Sequence, residues 1–219
     1  MTQSIRRFLV IVLLVGATAA TGLGQTPDPV EAVCTMSQSL TAYSATIRMT
    51  QHQAQNDSVI EFVFDFVPPD RMRIVYTAPA TVEGQTMILN ANRFYTYIPS
   101  LNRHVWQDVG ENGGNQGEEM GFLYDFVTGA ASEALARASV DVAETRETYV
   151  LESTATNLEV DALTLSEGEA RQVVLLNVPD TAPVAIDSYS GNRLVMEIRV
   201  LDYQLNGAFD EGWFAIPEQ

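Results

Sequence analysis

The 219-residue chain contains no lysine, one cysteine and two histidines. Its twelve basic residues are therefore all arginine, set against 28 acidic ones for a formal net charge of −16. That shortage of positive charge excludes nucleic acid as a partner, because phosphates need neutralising. It equally excludes docking by charge on anionic headgroups. Cys34 stands alone, so no internal disulfide can form. Glu31-Ala32-Val33 before it lack the small side chains of a lipid-modification site, and Cys34 reads as a small hydrophobe on a helix.

Chemistry-bearing patterns are missing too. His52 and His104 have no partner at metal spacing, such as HExxH. There is no GxSxG elbow, and Ser190 in Tyr-Ser-Gly-Asn is a turn serine. Glu118 and Glu119 are neighbours in a polar loop, where carboxylates face water rather than a substrate. Gly110 to Gly117 lacks the Lys or Ser/Thr and the βαβ setting of a phosphate cradle and reads as a mobile loop. The expectation is a protein that is not an enzyme and uses no metal or cofactor.

Long apolar runs are confined to the start. Arg6-Arg7, the apolar Phe8 to Val15 and the small-residue sites Ala17-Thr18-Ala19 and Gly22-Leu23-Gly24 predict a cleavable secretory signal over residues 1–24. The run falls short of the roughly 20 residues that a span needs. The expected mature product is one exported, soluble, monomeric domain over residues 25–219.

What the chain has in quantity is alternating apolar sequence. Asp28-Pro29 with Glu31 opens a helix with an N-cap, a first-turn proline and a capping-box carboxylate, and Val30, Val33, Cys34, Ser37 and Leu40 form its stripe. Tyr43 to Gln51 alternates with a period of two, as does the run holding Phe62, Phe64 and Phe66. Met72, Ile74 and Tyr76 repeat the pattern, Met87 to Leu89 begins a further strand, and Arg93 to Ile98 puts Phe94, Thr96 and Ile98 opposite Tyr95 and Tyr97. Both faces of this region are apolar or aromatic, which predicts a concave sheet wrapped around something greasy.

After the polar loop, Met120 to Val127 and Ala130 to Ala138 are helical pieces too short to stand alone, and they read as a lid carrying Phe122, Tyr124 and Phe126. Strands return from Val140, with hairpin turns at Ser190-Gly191-Asn192 and Asn206-Gly207, and Phe209 to Ile216 closes the domain. The expected fold is mainly β, one antiparallel sheet with short helices at one mouth. Phe62, Phe64, Phe66, Met72, Ile74, Tyr95, Tyr97, Met196 and Ile198 are the expected wall of the greasy hollow.

Four segments in order resemble the LolA family of periplasmic lipoprotein carriers. They are Leu40 to Gln51 (LTAYSATIRMTQ), Pro68 to Pro79 (PPDRMRIVYTAP), Met87 to Pro99 (MILNANRFYTYIP) and Leu205 to Pro217 (LNGAFDEGWFAIP). The resemblance implies an incomplete antiparallel β-barrel capped by a helical lid over a hydrophobic cavity. It also implies a periplasmic carrier that accepts acylated lipoproteins or lipids from an inner-membrane ABC transporter for delivery to the outer membrane, with an outer-membrane receptor as a further candidate partner. The family's best-studied members latch the lid with an Arg that here is Pro68; the nearest arginines are Arg71 and Arg73. The alternative implied by the shared fold is an envelope-stress regulator of the RseB type. Such proteins carry a second domain after the barrel, for which this chain is expected to lack room.

Overall fold

The computed structural model describes residues 28–108 and 120–218. The expected signal segment, the Gly110 to Gly117 loop and Glu118-Glu119 lie outside the described residues. Helix α1 (Pro29–Ser39) begins as its residues dictate, with the Asp28 side chain accepting from Val30 N at 2.9 Å.

Then come β1 (Tyr43–Gln51), β2 (Ser58–Val67), β3 (Arg71–Ala78), β4 (Thr86–Asn90), β5 (Arg93–Ile98) and β6 (Arg103–Asp108). Helices α2 (Phe122–Val127) and α3 (Ala131–Arg137) precede β7 (Ser139–Val142), β8 (Glu147–Leu151), β9 (Thr156–Glu167), β10 (Ala170–Asn177), β11 (Pro183–Ser190) and β12 (Arg193–Leu205).

The strands form one twelve-stranded sheet in the order β6-β5-β4-β3-β2-β1-β12-β11-β10-β9-β7, with β8 also on β9. Every described pairing is antiparallel. Two meanders are thus joined through the first and last strands, Tyr43 opposite Leu205 and Gln51 opposite Met196. β9 offers one edge to two partners, Thr156 to Val160 taken by β8 and Leu163 to Ser166 by β7. Register shifts at Thr46/Ile47, Glu61/Phe62, Leu175/Leu176 and Ser188/Tyr189 bend the strands, and the sheet curls into an open trough instead of closing.

The core lies on the concave side. Tyr43, Ala45, Ile47 and Met49 alternate inward along β1, facing Phe62, Phe64 and Phe66 on β2 and Ile198 and Val200 on β12. All three helices lie on that side, α1 contributing Val33, α2 Phe122, Leu123, Phe126 and Val127, and α3 Ala131 and Leu135.

The convex side holds the surprise. Residues Phe209 to Ile216, expected to close the domain, form no strand and cross the outside of β2 to β6 as a strap. Trp213 Nε1 donates to Asp65 Oδ2 at 2.8 Å, and Asn90 Nδ2 donates to the Phe214 carbonyl at 3.0 Å. Trp106 Nε1 donates to the Pro217 carbonyl at 3.0 Å. Asp65 is almost fully buried, and it is tolerated there because Ser44 Oγ (2.7 Å) and Arg73 (3.3 Å) also bond it.

Candidate functional site

The candidate site is the trough beneath α2 and α3. Neither helix could persist alone at six and seven residues, so apolar burial holds them. Phe122, Leu123, Phe126 and Val127 are buried to 1 % exposure or less. The Phe126 ring meets Tyr43 edge-on at 6.3 Å, and Tyr124 meets Phe66 edge-on at 6.4 Å. Below them Tyr43, Phe64 and Phe66 form a continuous aromatic row, each neighbouring pair 6.1 Å apart. In this state the lid side chains are themselves the filling of the trough.

Local sequence explains how the lid turns. Gly129, at φ +82°, ends α2: its N–H reaches the Phe126 carbonyl (3.3 Å) and Ala130 N–H reaches Asp125 O (2.8 Å). That pair of bonds around a left-handed glycine is a Schellman cap, and Ala130 then starts α3. At the other end Gly121 enters α2 at φ +52°, against the Gln172 amide, with which an added Cβ would collide. The latch is Ser37 on α1, whose hydroxyl donates to the Phe126 carbonyl at 2.7 Å in a buried setting. The expected latch region sends its arginines elsewhere: Arg73 stacks on Trp213 at 4.5 Å and Arg71 lies over Phe214 at 5.7 Å, both on the strap.

A cleft of about 210 Å³ opens beside the lid, its apolar lining including Phe122, Ala134 and Leu165, with Asp125, Arg137 and Gln172 around it. Asp125 is half-buried here, and desolvation raises its pKa, with Glu133 adding to the rise and Arg137 opposing it. Burial likewise raises the Tyr124 phenol, with Asp125 adding to the effect. Among the described residues no group of three or more His, Cys, Asp and Glu is placed to hold a metal ion. No described helix is long and apolar enough to cross a membrane.

The structure brings together Phe62, Phe64, Phe66, Met72, Ile74 and Ile198 in the concave core, with Met196 packed against it. Phe122 and Phe126 join that core and Tyr124 packs on it. Tyr95 and Tyr97 are separated from all of these. β5 sends Phe94 inward opposite Leu89, which leaves Tyr95 beside Ile88 and Trp106, and Tyr97 beside His104, on the convex face. There Tyr95 Oη bonds His104 Nδ1 at 2.8 Å. The expectation that Tyr95 and Tyr97 belong to the binding wall is corrected accordingly, since their face carries the strap. Sequence reasoning also passed over Leu123, Val127, the Tyr43 ring beneath Phe126, and Ser37 as a latch. For Ser37 the signal was present, a lone hydroxyl within an otherwise apolar helical stripe.

No family model and no curated protein matches the chain. Solved structures do. An uncharacterized conserved protein from Thermus thermophilus aligns over 87 % of this chain and 93 % of its own, at 11 % identity and TM-score 0.54. MucB, from Pseudomonas aeruginosa, aligns over 88 % of this chain and 62 % of its own, at 11 % identity and TM-score 0.52. A LolA superfamily protein from Nitrosomonas europaea aligns over 88 % and 98 % at 11 % identity and TM-score 0.40. With an open, antiparallel, twelve-stranded trough and three short helices lodged on its concave side, the chain shares its fold with the Thermus thermophilus protein and with MucB.

Proposed function

We propose that the protein is an exported, periplasmic, non-enzymatic carrier that takes the acyl chains of lipoproteins or lipids into its trough. Phe62, Phe64, Phe66, Met72, Ile74, Met196 and Ile198 are the binding wall, and Phe122, Tyr124 and Phe126 are the lid groups that give way. The donor is an inner-membrane ABC transporter and the acceptor lies at the outer membrane. One observation carries the reading: α2, a helix too short to be stable alone, places four fully buried apolar side chains in the trough, and the equally short α3 adds Ala131 beside them. The magnitudes suit transport. Burying a methylene is worth about 0.8 kcal/mol, so a sixteen-carbon chain brings roughly 12 kcal/mol. The displaced lid side chains lose about 1.5–3 kcal/mol each, a total of the same order. Near balance, a guest binds yet can be released.

The likeness to MucB, which has also been solved with MucA, favours a second reading, a regulator that binds a segment of a membrane protein. Native mass spectrometry of protein recovered from the periplasm separates the two. Co-purifying acylated species support carriage, a bound peptide supports regulation, and failure of delipidated protein to take up a fluorescent fatty acid defeats the carrier reading.

A further inference from the structure

At one end of the trough the apolar wall gives way to polar groups. Tyr203, paired with Ala45 across β1 and β12, packs on the core and donates its hydroxyl to Asp180 Oδ2 at 2.8 Å. Asn177 Nδ2 donates to Tyr203 Oη at 2.8 Å and to Asp180 Oδ1 at 2.9 Å, and Ala182 N closes the turn on that same oxygen at 3.1 Å. Thr181 Oγ1 ties the turn to α1 through the Ala32 carbonyl at 3.4 Å.

Two atoms of this region have no partner among the described residues, Tyr43 Oη and Asn177 Oδ1. Tyr43 has 0 % exposure and Asn177 4 %. A buried polar atom left unbonded is costly, and native interiors seldom keep one without a use. Burial first, and then Tyr203 and Asp180, drive the Tyr43 phenol far above its ordinary pKa, so it stays neutral and able to donate. The ring that carries it is covered by Phe126, the lid side chain a guest must replace.

We propose that Tyr43 recognises the carbonyl of an acyl linkage, an ester or an amide, when a guest chain takes the place of Phe126. Asn177 Oδ1 then accepts from the adjacent amide N–H or free hydroxyl. This rests on the carrier reading and adds to it a preference for acyl groups over plain hydrocarbon chains.

The test titrates delipidated wild type and Tyr43→Phe with three probes of equal chain length: a 1-monoacylglycerol, its 1-O-alkyl ether, which lacks only the carbonyl, and an N-acylethanolamine. Wild type should bind the ester and the amide about threefold to tenfold more tightly than the ether. Tyr43→Phe should erase that ratio. Its unliganded form should unfold at the same or higher urea concentration, because an unbonded hydroxyl has been removed. An amide that outbinds the ester points to N-acylated protein termini as the natural source, and the reverse order points to glycerolipids. Equal binding of ester and ether by wild type overturns the inference and leaves the carrier reading intact, and it needs no variant. If none of the three binds, the carrier reading itself falls. A Tyr43→Phe protein that loses stability while its probe ratio stays unchanged assigns the hydroxyl to internal structure and also overturns the inference.

Discussion

Under the proposed carrier function, Phe126 has opposite effects in two states of the protein. Unliganded, its ring is core, packed on Tyr43 and pinned through its own carbonyl by Ser37. To an incoming chain the same ring is an obstacle. Phe126→Ala should therefore lower the unfolding free energy by about 3–5 kcal/mol while raising affinity for a fluorescent fatty acid. Urea unfolding and probe titration on one preparation check both signs. Asp125 supplies a pH dependence. Its carboxyl titrates above the ordinary value of 3.8 in the closed lid, chiefly through desolvation. The closed form thus favours the protonated acid, so its contribution to stability is fully present below the unfolded pKa and is lost as pH rises through the raised value. The urea midpoint should fall across that interval, and Asp125→Asn should flatten the fall. Residue identities were largely legible before the fold was known, but facing was not. Alternation sorts Phe94 from Tyr95 without saying which set turns inward, and here the usual polar-face cue is absent because the strap makes both faces apolar.

Among the elements, the strap carries the clearest test. Trp213 gives Asp65, a nearly fully buried carboxylate, one of its hydrogen bonds, and its ring covers Arg73. Trp213→Phe keeps the aromatic surface and removes the donor, so it should cost about 1.5–3 kcal/mol, read as a lower urea midpoint. Elements with a local signature were readable: β1 and β5 have the bounds their alternation implied, and Asp28-Pro29 and Thr128-Gly129 mark helix ends that the structure caps as those residues require. The strap's path was not legible, because Phe209, Trp213, Phe214 and Ile216 have the composition of a strand as much as of a packed tail. What keeps them out of the sheet is the set of side-chain bonds to Asp65, Asn90 and Trp106, residues far away in sequence.

For the molecule as a whole, 28 acids against 12 arginines make self-repulsion a standing cost of compactness. Moving from low to physiological salt should raise the unfolding midpoint, as screening at about 8 Å weakens repulsion between distant surface charges more than the close ion pairs. The pairing of β1 with β12, which turns two meanders into one trough, could not be seen in the sequence. Strand periodicity describes a strand and its faces, while a partner some 150 residues away leaves no mark in it.

Under the proposed carrier function, the lid's occupation of the trough also sets a rule for guest length. A chain too short to match the hydrocarbon it evicts gains nothing by entering, and only the carbons past that point count in its favour. Across a homologous series of fatty acids, affinity should stay flat through the shortest members, break upward at one carbon number, and then climb by up to about 0.8 kcal/mol per added methylene. The position of that break would measure, in carbons, how large the stopper is.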